Sequence, residues 1–197
     1  MTGNQRYVAI LLFEDVEDLD FVGPLSVFSI ANRNIEPEPF VVFTVSEKKK
    51  SFPTRHGLTV MPAYTFERVP APDIIVIPGG LGARREVHNE VVKSWIVNNA
   101  AAAEHVLSVC TGALLLGAAG LLNGLQATTH HSSLDKLQEI APSAKIVKEA
   151  RFVDNGKIVT AAGITAGIDA ALYLVGKLIN KECADKVKTI MEYTPAA

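Results

Sequence analysis

Short apolar stretches of strand length alternate along the chain with longer segments whose apolar residues recur at helical spacing. The apolar stretches predict strands at residues 7–13, 40–45, 73–77 and 105–109, shorter extended pieces at 58–66 and 126–129, and a hairpin at 151–160 around Asp154-Asn155-Gly156. Helical spacing predicts helices at 21–32, 91–103, 111–122, 132–140, 165–180 and 182–193, with Ser132 or Ser133 as an N-cap. This alternation predicts a single α/β domain over residues 1–197, a mostly parallel sheet with helices on both faces.

Two of the predicted helices have distinctive sequences. The segment 111–122 is apolar almost throughout, which predicts a helix buried on all sides. The helix at 21–32 carries Gly23 and Pro24 near its start, where a proline is tolerated.

The composition narrows the class of protein. Of the 197 residues, 48% are hydrophobic and 20% are charged, and the formal net charge is -2. Without a basic excess we expect no nucleic-acid and no membrane partner, and the cationic run at 48–50 is predicted to be a solvated loop.

The polar start of the chain and the lack of a bilayer-length apolar run favour a cytoplasmic protein. Two cysteines make no disulfide framework, so we expect reduced thiols.

Cys110 directly follows the strand predicted at 105–109. Ser108-Val109-Cys110-Thr111-Gly112 has the form small-x-nucleophile-x-small at a strand-to-helix turn, which is the layout of a nucleophile elbow. Free N–H groups at the helix N-terminus stabilise a thiolate, so we expect a lowered thiol pKa and a reactive Cys110. The alternative is a buried structural cysteine, which is what we predict for Cys183 on a late amphipathic helix.

The glycines after the strand at 73–77 are candidates for stabilising negative charge. Gly79 and Gly80 would lie at the carboxyl edge of a parallel sheet, beside the elbow if the two strands are neighbours. Glycine N–H groups approach a substrate closely because no side chain blocks them. We therefore take the N–H groups of Gly80 and Thr111 as the candidate anion site, with a plain turn as the alternative.

Asp20 stands out among the acids that follow the first strand, because it leads into the apolar sequence Phe21-Val22-Gly23-Pro24. A carboxyl group next to a cysteine there could carry the proton of the thiol. The alternative is a helix N-cap, and the residues alone favour that alternative.

The histidines give weaker signals. His130 and His131 follow a short extended piece, where a strand end would place them near the cysteine and suggest a Cys–His pair. No second ligand motif accompanies them, so no metal is predicted. His56, His88 and His105 are predicted to lie on the surface.

Several motifs, none specific alone, together resemble the ThiJ/PfpI superfamily over nearly the whole chain. They are Leu12-Phe13, Leu19-Asp20-Phe21-Val22-Gly23-Pro24, Ile77-Pro78-Gly79-Gly80, Ser108-Val109-Cys110-Thr111-Gly112-Ala113, residues 118–124 and 127–130, and Gly163-Ile164-Thr165-Ala166-Gly167. The resemblance implies a flavodoxin-like three-layer sandwich of the class I glutamine amidotransferase-like type, usually a homodimer.

Within the superfamily, the sequence is most similar to the isocyanide (isonitrile) hydratase branch. That branch has an aspartate where many relatives have glutamate, as in Asp20, and Cys-Thr-Gly where the protease-like branch has Cys-His. Thr111 therefore counts against a Cys–His–Glu triad. The same motifs occur in the sensor domains of AraC-type regulators. No helix-turn-helix follows in this sequence, so we expect that role to be unavailable to this chain alone.

The resemblance implies roles for specific residues. Cys110 would be the nucleophile, Asp20 would hydrogen-bond its sulfur and handle the proton, and Thr111 would order the site. Ile164 and Thr165, with His130, are candidates for lining a pocket that takes a small electrophile. The implied reaction is hydration of an isocyanide to an N-substituted formamide, by a lyase that needs no cofactor.

Two other functions stay open. Related proteins act on 2-oxoaldehydes as glyoxalases or deglycases with the same cysteine, typically with glutamate in place of Asp20. A protein of another class, a redox sensor or a ligand-binding module, would also use an oxidisable thiol at an elbow.

Overall fold

A seven-stranded sheet forms the centre of the structure, a computed structural model that describes residues 5–194. The strands are β1 (Arg6–Leu11), β2 (Phe40–Ser46), β3 (Phe52–Pro53), β4 (Thr59–Val60), β5 (Tyr64–Thr65), β6 (Ile74–Ile77), β7 (His105–Val109), β8 (Gln126–Ala127), β9 (Lys145–Ile146), β10 (Phe152–Asp154) and β11 (Ile158–Ala161). The sheet has the order β10-β11-β7-β6-β1-β2-β5, and only β10 and β11 pair antiparallel. β3 and β4 form a separate hairpin, and β8 pairs with β9.

Two groups of helices cover the sheet. The helices are α1 (Asp18–Asn34), α2 (Ala83–Glu86), α3 (Glu90–Ala102), α4 (Gly112–Ala118), α5 (Leu134–Ile140), α6 (Ala166–Leu178) and α7 (Lys181–Ile190). α1, α6 and α7 pack on one another, while α4 contacts α2, α3 and α5. The predicted three-layer α/β arrangement is confirmed.

The central strands are buried on both faces, which is why they are apolar without alternation. Every residue of β6 is fully buried, and all five residues of β7 are buried as well. β1, β6 and β7 are neighbours and run parallel, so their carboxyl ends meet at one edge of the sheet. The loops that follow these three strands carry the candidate site.

Helix ends differ from the predictions by up to four residues, and two of the differences have a clear physical reason. α1 begins at Asp18, so Pro24 lies inside the helix and leaves the carbonyl of Asp20 without its helical N–H partner. α4 ends at Ala118 rather than at residue 122. Gly120, at φ 74°, closes it with a Schellman motif in which the Leu121 N–H donates to the Leu116 carbonyl at 3.0 Å.

The region before α5 also differs. A 3₁₀ turn over His131–Ser133 precedes the helix, and Ser133 makes no capping hydrogen bond through its side chain. The ring of His130 accepts the N–H of Ser132 instead, at 3.3 Å. α2 and β9 were not predicted, because one helical turn and two strand residues are too short to show a period.

None of the helices in residues 5–194 is both long enough and apolar enough to cross a lipid bilayer.

Gly112→Ala tests how tightly the elbow packs against β6. A Cβ at residue 112 would lie 2.0 Å from the carbonyl oxygen of Ile77, so we expect a loss of roughly 1–3 kcal/mol in the free energy of unfolding, measured with urea. Gly176→Ala is the matched control, because its Cβ would meet Ala184 Cβ at an ordinary 3.4 Å in mid-helix. That variant should be stabilised by about 0.5–1 kcal/mol. Equal stability of the two variants would contradict this account.

Candidate active site

Cys110 occupies a sharp turn between β7 and α4. Its φ of 54° is in the left-handed region, which a residue with a Cβ rarely adopts. The surrounding backbone holds it there: its N–H donates to the carbonyls of Ala161 at 3.2 Å and Ala162 at 2.9 Å, and its carbonyl accepts from Thr129 Oγ1 at 2.7 Å. The elbow predicted from the small flanking residues is present, and three hydrogen bonds hold Cys110 in its strained conformation.

Gly79 brings the loop after β6 against the elbow. A Cβ at this position would lie 2.5 Å from both the backbone nitrogen and Oγ1 of Thr111, and 2.9 Å from Asp20 Oδ2. Any side chain here would therefore separate the acid from the turn. The Gly79 N–H donates to Asp20 Oδ2 at 2.9 Å, which fixes the carboxyl group.

Asp20 is a fully buried residue in the first turn of α1. Glu17 holds the N-cap position of that helix, so the capping alternative for Asp20 is wrong. Its Oδ1 has no hydrogen-bond partner within the described residues, and the carboxyl group lies close enough to the Cys110 thiol for each to shift the pKa of the other. The predicted juxtaposition of Asp20 and Cys110 is thus present in the structure.

Burial shifts the pKa of both members of this pair upward. Loss of solvation raises the pKa of Asp20 to about 7, against the opposing hydrogen bond from Gly79. Burial, with the nearby Asp20 charge, raises the pKa of the Cys110 thiol to about 12, although backbone N–H groups of Ile164 and Thr111 favour the thiolate. The lowered thiol pKa that the sequence suggested is therefore wrong, because desolvation and a neighbouring carboxylate outweigh two amide dipoles.

The two glycine N–H groups of the candidate anion site are engaged within the protein. Gly79 donates to Asp20, and Gly80 donates to Thr111 Oγ1 at 2.9 Å. Thr111 Oγ1 in turn lies 3.2 Å from the Gly80 carbonyl, so the hydroxyl ties the loop to the elbow in both directions. A substrate anion would have to displace these bonds, whereas the Thr111 N–H favours negative charge on the sulfur.

A cavity of about 210 Å³ opens onto Cys110. Its lining comprises Glu17, Arg55, Gly80, Leu81, Arg84, Cys110, Thr111, His130, Ser132 and Ile164. Asp20 and Thr165 are not part of this lining. Asp20 is buried behind it, and Thr165 Oγ1 accepts a hydrogen bond from Arg151 at 3.2 Å.

Charged lining residues were missed by the sequence analysis. Arg55 comes from the β3–β4 hairpin and Arg84 from the one-turn helix α2, and neither element gives a periodic signal. Glu17 was visible only as one of several acids after β1. An isolated β-bridge pairs Val16 with Gly80, so the acidic stretch lies against the loop that contacts the elbow.

His130 lines the cavity without pairing with the thiol. Its Nδ1 lies 2.8 Å from Ser132 Oγ, and its ring packs 4.2 Å from that of His131. Burial and the nearby charges of His131 and Arg84 lower the pKa of His130, which favours the neutral ring. Within residues 5–194, no hydrogen bond joins it to Cys110, so the structure does not form the suggested Cys–His pair.

The other histidines vary in exposure. His56 is exposed as predicted, and its Nε2 lies 3.0 Å from Glu17 Oε1. His105 is buried at the start of β7, opposite Ile74, so its prediction as a surface residue is wrong. Glu17, Asp18 and His56 have closely spaced ligand atoms, but hydrogen bonds within the protein already use several of them.

The profile of the DJ-1/PfpI family matches residues 6–177. An isonitrile hydratase of Pseudomonas putida is 40% identical over 96% of this chain and 79% of its own length. The HTH-type transcriptional regulator GbdR of Pseudomonas aeruginosa is 25% identical over 96% of the chain, which spans about half (51%) of that regulator. A deglycase of Pyrococcus horikoshii is 24% identical over 84% of the chain and 92% of its own length.

Solved structures agree with this relationship. A ThiJ/PfpI family protein from Pseudomonas syringae superposes with a TM-score of 0.88 at 30% identity, over 98% of this chain and 77% of that one. DJ-1beta of Drosophila melanogaster superposes with a TM-score of 0.85 over 98% of this chain and all of its own, at 17% identity. The second likeness shows the fold alone.

Asp20→Asn should lower the pKa of the Cys110 thiol. The substitution removes the negative charge that helps to keep the thiol protonated. The measurement is the rate of Cys110 alkylation by iodoacetamide as a function of pH, with mass spectrometry to separate Cys110 from Cys183. Asp18→Asn is the control, since its carboxylate accepts from Thr54 Oγ1 rather than from the thiol. An unchanged profile in Asp20→Asn would contradict the coupling.

Stability should fall as the pH rises through the pKa of Asp20. The folded-state pKa of about 7 exceeds the unfolded value, so the folded protein binds a proton more tightly and gains stability at low pH that is lost between about pH 4 and 7. Relative to Asp20→Asn, the wild-type protein should lose roughly 2–4 kcal/mol in unfolding free energy over this range. Urea titrations at pH 4 to 8 test this. Parallel pH curves for the two proteins would rule out a raised Asp20 pKa.

Proposed function

The chain belongs to the DJ-1/PfpI family, and on that premise we propose that it hydrates an isocyanide to an N-substituted formamide. The observation that carries the proposal is the buried pair of Cys110 and Asp20 at the elbow. One member of the pair is a nucleophile, and the other is a carboxyl group whose pKa of about 7 suits proton transfer at neutral pH. The 40% identity to an isonitrile hydratase supports the choice of electrophile.

The first step forms a covalent intermediate. Asp20 as carboxylate accepts the proton of the Cys110 thiol and delivers it to the terminal carbon of the isocyanide, while the sulfur bonds to the same carbon. The product is a thioimidate, R–N=CH–S–Cys110. Because the raised thiol pKa keeps the proton on sulfur in the resting enzyme, Asp20 is needed to move it.

The second step releases the product. Water adds to the thioimidate carbon while Asp20 takes a proton from the water and passes it to the nitrogen. The tetrahedral adduct then collapses: the carbonyl forms, the C–S bond breaks, and the sulfur regains a proton through Asp20. The N–H groups of Thr111 and Ile164, which favour the thiolate, stabilise the sulfur as it leaves with negative charge.

A 2-oxoaldehyde is the second candidate substrate. The same thiol could add to its aldehyde carbon to give a hemithioacetal, and Asp20 could then move the proton that converts this adduct to a hydroxy acid. The likeness to a deglycase supports this alternative at lower identity. Assays of a simple isocyanide and of methylglyoxal under the same conditions separate the two.

A redox sensor is less well supported. Oxidation to a sulfenic acid needs thiolate, and a thiol pKa of about 12 leaves little of it at neutral pH.

Cys110→Ala should abolish formamide production from an aryl or alkyl isocyanide, because Cys110 is the thiol that lines the cavity and Cys183 does not. Asp20→Asn should slow turnover by at least 100-fold, since an amide does not cycle a proton. The matched control is Cys183→Ala, which removes the second, partly buried thiol and should keep full activity. Turnover retained in Cys110→Ala would contradict the mechanism. Turnover of methylglyoxal but not of the isocyanide would favour the 2-oxoaldehyde as the substrate.

A further inference from the structure

Arg55 and Arg84 are the arginines that line the cavity in front of Cys110. Within residues 5–194, neither has a carboxylate within ion-pair distance. Arg85 and Arg6, by contrast, are paired: Arg85 lies 2.7 Å from Asp15, and Arg6 lies 2.7 Å from Glu104. Arg84 makes only a long hydrogen bond to Ser133 Oγ, at 3.4 Å.

Glu17 is the acid of the cavity lining, and it makes no ion pair with Arg55 or Arg84. Its Oε1 lies 3.0 Å from His56 Nε2. The charge of Arg84 is felt inside the cavity, because it is among the causes that lower the pKa of His130, another residue of the lining. The lining thus carries two guanidinium groups against one carboxylate, with Asp20 buried behind the cysteine.

Arg55 and Arg84 are exposed residues, and main-chain hydrogen bonds fix the two segments that carry them. The Arg55 N–H donates to the Val16 carbonyl at 2.8 Å, which holds the β3–β4 hairpin over the acidic loop. The Arg84 N–H donates to the Leu81 carbonyl at 3.2 Å within the turn that leads into α2. Planar guanidinium groups bind carboxylates through paired hydrogen bonds, so two of them beside a nucleophile form a receptor for an anionic group.

We propose that the substrate carries a carboxylate close to its reactive carbon and that Arg84 and Arg55 bind it. This inference rests on the proposed function for the identity of the reactive group, but the anion site itself does not. The cavity of about 210 Å³ is below the roughly 300–1,000 Å³ of pockets for drug-sized ligands, so the substituent is short. A small isocyanide with a carboxylate, such as isocyanoacetate, has this chemistry.

The first test needs no turnover. Iodoacetate and iodoacetamide alkylate thiols alike, but only iodoacetate carries a carboxylate. We expect the ratio of their rates at Cys110, divided by the same ratio for free cysteine, to exceed 1 in the wild-type protein. It should fall roughly 5- to 10-fold in Arg84→Gln and in Arg55→Gln. Cys183 is replaced by alanine throughout, so that one thiol is followed.

Arg33→Gln is the control for loss of one positive charge. Arg33 is exposed near the far end of α1, about 20 Å along the helix from Asp20 at 1.5 Å per residue. It should leave the alkylation ratio unchanged. A ratio that is insensitive to Arg84→Gln and Arg55→Gln, or one that falls equally in Arg33→Gln, overturns the anion site.

The second test compares isocyanoacetate with its methyl ester as substrates. We expect kcat/KM to favour the acid by about 5- to 10-fold at low salt, and the acid-to-ester ratio to fall toward 1 in Arg84→Gln but not in Arg33→Gln. Equal kcat/KM for acid and ester in the wild-type protein overturns the substrate inference and leaves the hydratase intact. An alkylation ratio that behaves as expected, with no turnover of either compound, removes the hydratase and keeps the anion site.

Discussion

The close approach of two backbone segments is the constraint on which the site depends. The loop after β6 and the turn after β7 meet at Gly79 and Gly112, where a Cβ would lie 2.5 Å from the Thr111 nitrogen and 2.0 Å from the Ile77 carbonyl oxygen, respectively. Only with glycine at both positions can neighbouring parallel strands end so near each other. The gap that remains is filled by one carboxyl group, that of Asp20, which is bound to the Gly79 N–H and interacts with the thiol.

Burial of this carboxyl group determines how the cysteine can react. A thiolate at an exposed helix N-terminus would be formed in advance, but here burial and the adjacent acid keep the proton on sulfur. The acid is desolvated as well, so its own pKa rises into the range where it can both accept and release a proton at neutral pH. On the proposed mechanism, the Cys110–Asp20 pair keeps its proton until an electrophile arrives, and the N–H groups of Thr111 and Ile164 favour charge on the sulfur during the reaction.

Much of this arrangement could be predicted from the sequence, because the signals for it are local. The small residues around Cys110 predicted a sharp turn, and the apolar residues after Asp20 predicted that its carboxyl group is buried. The direction of the thiol pKa shift was wrong, because it depends on how two distant segments pack and not on either segment alone. Arg55 and Arg84 were missed for a related reason. Arg55 lies in the hairpin of two-residue strands and Arg84 in a one-turn helix, and elements this short show no hydrophobic periodicity in the sequence.

Different groups of this site would serve the reaction and the choice of substrate. A thiol with an adjacent carboxyl group can add to an isocyanide carbon or to an aldehyde carbon with the same movement of one proton, so the pair itself does not choose the substrate. The choice falls to the groups that surround the reacting carbon, which lie on the β3–β4 hairpin, on α2 and at Ile164. On the proposed function, the charge of the cavity lining, rather than the nucleophile, would distinguish one electrophile from another.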